Sequence, residues 1–83
     1  MMNGMIDPDG PTPVYVQIAD VIATRIASGD PAPNRRIPSE SSMRQEFGVA
    51  RETARRAVAA LRERGLVFTV PHRGTFVGKT PSN

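Results

Sequence analysis

Apolar residues in the first third of the chain recur every four positions, which is the spacing of one face of an α-helix: Val14, Ile18, Ile22 and Ile26. Thr12 offers a capping hydroxyl, and Pro13 suits the first helical position. Gly29, after Ser28, can end the helix in a left-handed conformation. The pattern therefore predicts a first helix from Pro13 to Ser28, packed as a scaffold on later elements.

A shorter helix is predicted after Pro38, because the hydroxyl of Ser39 can cap its free N–H groups. Met43 and Phe47 lie four positions apart and form its apolar side. Gly48 supplies the left-handed residue that ends a helix at low cost. A third helical run follows almost at once, so this arrangement predicts a helix-turn-helix.

The third run, 50–64, separates into an apolar and a basic side when it is laid out at about 100° per residue. One narrow arc holds the predicted buried residues Ala54, Ala57, Val58 and Leu61. Beside it lies a stripe formed by Arg51, Arg55 and Arg62. Arg56 points elsewhere, next to Glu52 and Glu63. On most helices such arginines only face solvent. Here the basic residues crowd into the first two turns after a tight turn, where a recognition helix meets base edges.

After Gly65 the apolar period changes from about four to two, which indicates β-strands. Residues 66–70 and 75–77 are predicted to pair as a hairpin around the turn 71–74. Such a hairpin is barely stable alone, so it should pack on the helices, and extended residues near Ile37 are expected to add a third strand. The predicted fold is mainly α with a small β-sheet: a winged helix-turn-helix with three helices and a carboxyl-terminal wing.

Length and charge agree with one small nucleic-acid-binding domain. The chain has 83 residues and a net charge of +3. From Arg51 to Lys79, seven basic residues stand against two acidic ones, so the excess lies in the carboxyl half. We expect a flexible tail at 1–11, the winged domain at 12–79 and a second tail at 80–83.

Several classes of protein are disfavoured by composition. The chain has no cysteine and one histidine, so we expect no disulfide, metal site or cofactor. No apolar run approaches the length of a membrane span and no signal peptide is visible, so we expect the cytoplasm. The serine hydroxyls at 39, 41 and 42 have no histidine near them in sequence, so we expect no enzyme. No small-molecule effector site is evident.

A series of motifs in one order closely resembles the DNA-binding domain of the GntR family of bacterial transcription regulators, over about 13–78. The matching pieces are Ile37-Pro38-Ser39-Glu40, Phe47-Gly48-Val49, Arg51, Thr53, Arg55-Arg56-Ala57, Leu61, Gly65-Leu66 and Arg73-Gly74-Thr75-Phe76-Val77. The resemblance implies operator contacts for Arg51, Thr53 and Arg55, and a minor-groove contact for Arg73 at the wing tip.

Three positions depart from the family pattern. Ser41 stands where a basic residue is usual, and Ala50 stands where a Ser or Thr usually caps the recognition helix. His72 replaces the first glycine of the wing, so a different turn or an imidazole facing DNA is one interpretation, and an exposed turn residue is the other. The family also implies a carboxyl-terminal effector domain beyond the wing. With the sequence ending at Asn83, we expect either an isolated domain of a longer regulator or a minimal regulator with no sensor of its own.

These observations predict a sequence-specific regulator of transcription, a repressor, that binds double-stranded DNA with a recognition helix in the major groove and a wing in the minor groove. Arg51 and Arg55 are expected to contact bases, and Thr53 a phosphate or a thymine methyl. The remaining candidate contacts, to phosphate or from the wing, are Arg35, Arg36, Ser39, Arg56, His72, Arg73 and Gly74. For Arg35 and Arg36, a solvated loop is the alternative.

The expected DNA partner is a two-fold operator, bound by a homodimer that is weak or forms only on DNA. The rival function is a winged helix that binds an acidic protein partner through the same arginine stripe.

Overall fold

A computed structural model of the chain describes residues 6–79. The elements in chain order are α1 (Val14–Ala27), α2 (Glu40–Phe47), α3 (Arg51–Glu63), β1 (Val67–Val70) and β2 (Gly74–Val77). The predicted fold class, three helices followed by a hairpin wing, is confirmed. The predicted tail at 80–83 lies outside the described residues, as do residues 1–5.

Helix α1 begins one residue later than its sequence suggests. Pro13 is the extended residue before the helix, with ψ 143°, and among the described residues no side chain caps this end. The predicted cap by Thr12 is therefore wrong. Its carbonyl instead accepts a hydrogen bond from the side-chain amide of Gln17 at 2.7 Å. The predicted end is confirmed, since Ser28 closes the helix and Gly29 follows with φ 92°.

The segment before α1 also contacts this helix. Ile6 packs against the edge of the core, and the backbone N–H of Asp7 donates to the side-chain oxygen of Gln17 at 2.6 Å. Gln17 thus joins the segment 6–12 to the first turns of α1. The flexibility expected for the tail stays a prediction.

Helix α2 and the turn after it follow the predicted chemistry. The hydroxyl of Ser39 accepts a hydrogen bond from the N–H of Ser42 at 3.0 Å and so caps the helix. Gly48 ends it with φ 65° and ψ 37°, a left-handed conformation that costs glycine little. Helix α3 starts directly after Ala50, which has an extended backbone. Only three residues, 48–50, therefore separate the two helices. The predicted helix-turn-helix is confirmed.

The wing is a two-stranded antiparallel hairpin in which Val67 pairs with Val77 and Phe68 with Phe76. The expected third strand is reduced to one bridge, between Arg36 and Phe76. Backbone hydrogen bonds from Asn34 to Val77, from Val77 to Arg35 and from Ile37 to Thr75 support it, at 2.8, 2.8 and 3.0 Å. The loop before α2 is thereby fixed to the wing.

One apolar core joins all the elements. Its buried members come from the three helices, the residue before α2 and the strands: Ile18, Ala19, Ile22, Ile37, Met43, Ala54, Ala57, Val58, Leu61, Val67 and Val77. α1 packs on α3 across this core, and Arg25 of α1 forms an ion pair with Glu46 of α2. Among the described residues, no helix has the length and apolar character needed to cross a membrane.

Candidate nucleic-acid interface

The first two turns of α3 expose three guanidinium groups. The side chains of Arg51, Arg55 and Arg56 are 79%, 63% and 63% exposed. On the opposite side of the same helix, Ala54 and Ala57 are fully buried, which fixes the rotation of the helix about its axis. The predicted division of α3 into a buried and a basic side is confirmed, and Thr53 lies half-buried between them.

Each of these arginines faces a carboxylate within the domain. Nη2 of Arg55 lies 2.6 Å from Oε1 of Glu52, and Nε of Arg56 lies 3.3 Å from Oε2 of the same residue. Nε of Arg51 lies 3.9 Å from Oε1 of Glu40, at the start of α2. The hydrogen bonds from Arg55 and then Arg56 hold the pKa of the Glu52 carboxyl below its usual range.

A groove of about 470 Å³ opens between the start of α2, the middle of α3 and the wing. Its polar and charged lining comes from Arg36, Ser39, Glu40, Ser41, Arg62, Thr69 and Thr75, with Gly74 at its edge. The groove therefore brings three predicted site residues, at 36, 39 and 74, beside the basic stripe of α3. The other predicted residues lie outside its lining.

Arg36 is held against the wing by its side chain as well as its backbone. The guanidinium carbon lies 5.9 Å from the centre of the Phe76 ring, a cation–π arrangement. Gly74 has φ 127°, which side-chain-bearing residues rarely adopt, and a Cβ there would lie 3.5 Å from Nε of Arg36. The backbone conformation therefore favours glycine at position 74, whereas an added Cβ would meet Arg36 only at ordinary van der Waals distance.

Arg62 has a role that its place in the basic stripe did not predict. Its Nη1 donates a hydrogen bond to Oγ1 of Thr69 at 2.9 Å, and that hydroxyl shares a hydrogen bond with Oγ1 of Thr75 at 2.9 Å. The three side chains connect the recognition helix to both strands of the wing. No local pattern signals this network, because its hydrogen bonds join residues seven and six positions apart in different elements.

The tip of the wing is a tight turn closed by a hydrogen bond from the N–H of Arg73 to the carbonyl of Val70, at 3.0 Å. Pro71 occupies the second position of the turn, and His72 the third, with φ 64°. Proline followed by a positive φ is typical of a type II turn. His72 thus takes over the left-handed conformation of a glycine, and both His72 and Arg73 are exposed.

Two predicted site residues have other described roles. The Ser39 hydroxyl caps α2, and it also donates to the hydroxyl of Ser42 at 3.1 Å. The Arg35 carbonyl accepts a hydrogen bond from Val77, while its side chain is exposed. Contacts of these and the other candidates with DNA stay predictions.

A tight helix-turn-helix, an exposed basic recognition helix and a hairpin wing define the class of winged helix-turn-helix domains found in transcription regulators. The model of the family described as "Bacterial regulatory proteins, gntR family" matches residues 14–77 of the chain. The chain belongs to this family, and the resemblance seen in its motifs is confirmed.

Two similar proteins of known name are repressors. The chain is 38% identical over 74 residues to the HTH-type transcriptional repressor NagR of Bacillus subtilis (strain 168), a match that covers 89% of this chain and 30% of NagR. It is 41% identical over 68 residues to the mannosyl-D-glycerate transport/metabolism system repressor MngR of Escherichia coli (strain K12), covering 82% of this chain and 28% of MngR. The chain thus spans less than a third of the length of these two relatives.

A solved structure of similar fold is AraR(DBD) in complex with operator ORR3. It is 35% identical to this chain, the match covers 94% of each chain, and the TM-score is 0.77. NagR and MngR are thus repressors of transcription, and AraR(DBD) is a DNA-binding domain seen on its operator.

Proposed function

We propose that this chain binds double-stranded operator DNA by placing the start of α3 in the major groove and the wing in the adjacent minor groove, and that it serves as the DNA-binding part of a repressor. The observation that carries the proposal is the exposed arginine cluster of Arg51, Arg55 and Arg56. The cluster follows the tight turn directly and lies at the amino-terminal end of α3. In winged helix-turn-helix proteins this end of the recognition helix enters the major groove.

Base reading is assigned to Arg51 and Arg55. A guanidinium can give two hydrogen bonds to O6 and N7 of guanine, the commonest specific contact in the major groove. Arg55 uses one of its five N–H donors on Glu52, so its other donors remain available. Thr53, half-buried at the first turn, is small enough to meet a phosphate or a thymine methyl.

Phosphate contacts are assigned to Arg35, Arg36 and Arg56, with Ser39 at the start of α2. The bridge between Arg36 and Phe76 supports this assignment, because it holds the loop before α2 close to the wing. On the wing, Arg73 is assigned to the minor groove, where narrow A·T-rich segments attract arginine. His72 and Gly74 give the tip its turn, and His72 stands exposed beside Arg73.

A two-fold operator is part of the proposal. One module of this size buries roughly 600–1,000 Å² of protein surface on DNA, so two copies on a symmetric site are needed for tight binding. We infer a dimer that is weak, or that forms only on DNA. Repression would follow where such a site overlaps a promoter, and the protein would lie at the nucleoid.

The test is selection of bound duplexes from a random pool, followed by affinity measurements on the selected operator. Arg55→Ala should lower operator affinity by about tenfold to a hundredfold and flatten preference at one base position. Arg64→Ala is the matched control, because it removes the same charge from the far end of α3, where Arg64 pairs with Asp20 at 2.9 Å.

Two results would contradict the proposal. If selection enriches no sequence, direct readout is absent, and binding of an acidic protein partner by the arginine cluster becomes the better explanation. If Arg55→Ala and Arg64→Ala weaken operator binding equally, the arginine acts only through the total charge of the domain.

A further inference from the structure

Glu52 stands inside the arginine cluster, at the second position of α3. Both of its carboxylate oxygens are engaged, Oε1 by Nη2 of Arg55 at 2.6 Å and Oε2 by Nε of Arg56 at 3.3 Å. The residue spacing of three and four brings all three side chains onto neighbouring positions of one helix surface. A single acid thus holds two of the three guanidiniums that face the proposed DNA surface.

The acid changes the local charge considerably. Three arginines, at 51, 55 and 56, stand at the start of α3, and two carboxylates, Glu40 and Glu52, lie within 3.9 Å of them. The net charge of this small surface is therefore about one positive unit rather than three. Because the Glu52 side chain is 54% exposed, its carboxylate also faces any polyanion that approaches.

We propose that Glu52 is a specificity-determining residue, whose carboxylate competes with DNA phosphates for Arg55 and Arg56 and so weakens binding to arbitrary DNA more than binding to the operator. This inference rests on the proposed function. In this role the carboxylate of Glu52 repels DNA phosphates. The repulsion lowers affinity for DNA of the wrong sequence more than affinity for the operator.

The two kinds of binding respond differently because they use the arginines differently. Binding to arbitrary sequence depends almost entirely on the attraction of cationic side chains for phosphates. A carboxylate that neutralises two arginines and repels phosphate directly weakens this attraction. A contact with a guanine edge needs directed donors, and Arg55 keeps most of its N–H groups free while Glu52 fixes its position. Ordering Arg55 in advance also reduces the entropy lost on operator binding.

The experiment compares Glu52→Gln with Glu63→Gln in the full 83-residue chain. Both substitutions remove one negative charge from α3 with almost no change in size. Glu63 lies at the last position of the helix and, among residues 6–79, forms no ion pair with an arginine. Affinity is measured for the operator selected by the wild type and for a scrambled duplex of the same length and composition, over a series of salt concentrations.

Glu52→Gln should raise affinity for the scrambled duplex by about three- to tenfold and steepen its salt dependence by about 0.9 in log–log slope for each phosphate newly engaged. Operator affinity should change by less than about twofold, so the preference for the operator falls several-fold. Glu63→Gln should raise both affinities slightly and equally, leaving the preference unchanged.

Four results would overturn the inference. Equal effects of the two variants on the scrambled duplex would show a uniform effect of net charge. A loss of operator affinity in Glu52→Gln, without a gain on the scrambled duplex, would mean that the carboxylate only supports operator binding, by ordering Arg55 or by contacting DNA itself, and does not compete with phosphates. A wild type without any preference overturns the proposed function as well, whereas an unchanged preference in Glu52→Gln overturns this inference alone.

Discussion

The two sides of α3 differ in almost every physical respect. The inner side is built from small and aliphatic residues, with Ala54, Ala57 and Leu61 fully buried and Val58 6% exposed. The outer side carries Arg51 and other arginines that are mostly exposed and paired with carboxylates. One helix of 13 residues therefore supplies a large part of the core and, as proposed, the reading surface.

Residues that stabilise the fold and residues proposed to bind DNA thus lie on different sides of the same helix. Ala54 and Ala57 belong to the core across which α1 packs on α3, so the orientation of the outer side is determined by the inner one. Substitutions on the inner side should change the free energy of unfolding, and those on the outer side should change DNA binding. The four predictions below test this division.

The largest effect is expected for Leu61→Ala. The Leu61 side chain is fully buried, and its removal leaves a cavity that should lower the free energy of unfolding by about 2–5 kcal/mol. Urea unfolding followed by circular dichroism measures the loss. Arg55→Ala, on the outer side, should leave the unfolding midpoint nearly unchanged. Similar losses in both variants would show that the two sides are not separable.

Helix α3 begins directly after Ala50, which has no side chain that could cap it, so a capping residue at this position should stabilise the fold. Ala50 has φ −73° and ψ 161°, close to the φ −66° and ψ 164° of Ser39, which caps α2. Ala50→Ser would place a hydroxyl where it can accept from the N–H of Thr53, and should raise the free energy of unfolding by about 0.5–2 kcal/mol. Thermal melting measures it.

The matched variant is Ser39→Ala, which should lose a similar amount, because it removes the hydrogen bond to the N–H of Ser42. If Ala50→Ser gives no increase in melting temperature while Ser39→Ala gives a loss, the two helix starts are not equivalent. The similarity of their backbone angles would then be an insufficient guide to capping.

Arg62 tests the boundary between the two sides, since it belongs to the outer stripe but holds the wing. Arg62→Met removes the hydrogen bond to Thr69 and should lower the free energy of unfolding by about 0.5–1.5 kcal/mol, with faster amide hydrogen exchange in β1. Thr69→Val is the partner variant. If the effects of the two substitutions simply add, the contact contributes nothing to holding the wing.

The sequence was sufficient to predict the parts of the fold that depend on neighbours along the chain. Apolar residues at a spacing of four predicted α1, Gly48 predicted the turn, and alternation after Gly65 predicted the wing. The error at Thr12 has a physical reason. Helix boundaries shift easily by a residue, and here the extended Pro13 itself occupies the cap position, where its carbonyl accepts from the N–H groups of Val16 and Gln17. Thr12 therefore lies one residue outside the position from which its hydroxyl could cap the helix.

The site was predictable in part. Exposure of Arg51, Arg55 and Arg56 followed from helical periodicity, since the same arc that buries Ala54 must turn them outward. Contacts across the fold were not predictable. The stacking of Arg36 on Phe76 and the bond from Arg62 to Thr69 arise only when the wing folds back on the helices. Helical spacing placed Arg56 beside Glu52 but did not predict that Arg55 binds the same carboxylate.

The smallest expected effect concerns the charge of Glu52 on the outer side. Hydrogen bonds from Arg55, and then from Arg56, lower the pKa of its carboxyl, whereas a carboxyl free of such contacts titrates near about 4.3. Its contribution to stability is therefore present above that ordinary value and is lost as the pH falls through the lowered one. Titration of its side-chain carboxyl carbon by NMR should place the pKa of Glu52 below that of a glutamate in an unstructured peptide.

Arg55→Met should bring the pKa of Glu52 back toward the ordinary value, and Arg56→Met should do so by less, since the contact with Arg55 is the shorter, at 2.6 Å against 3.3 Å. The opposite order would mean that Arg56 is the principal partner of the carboxylate in solution. Arg55 would then face the solvent without restraint, and the outer side of α3 would present a mobile guanidinium to DNA rather than an ordered one.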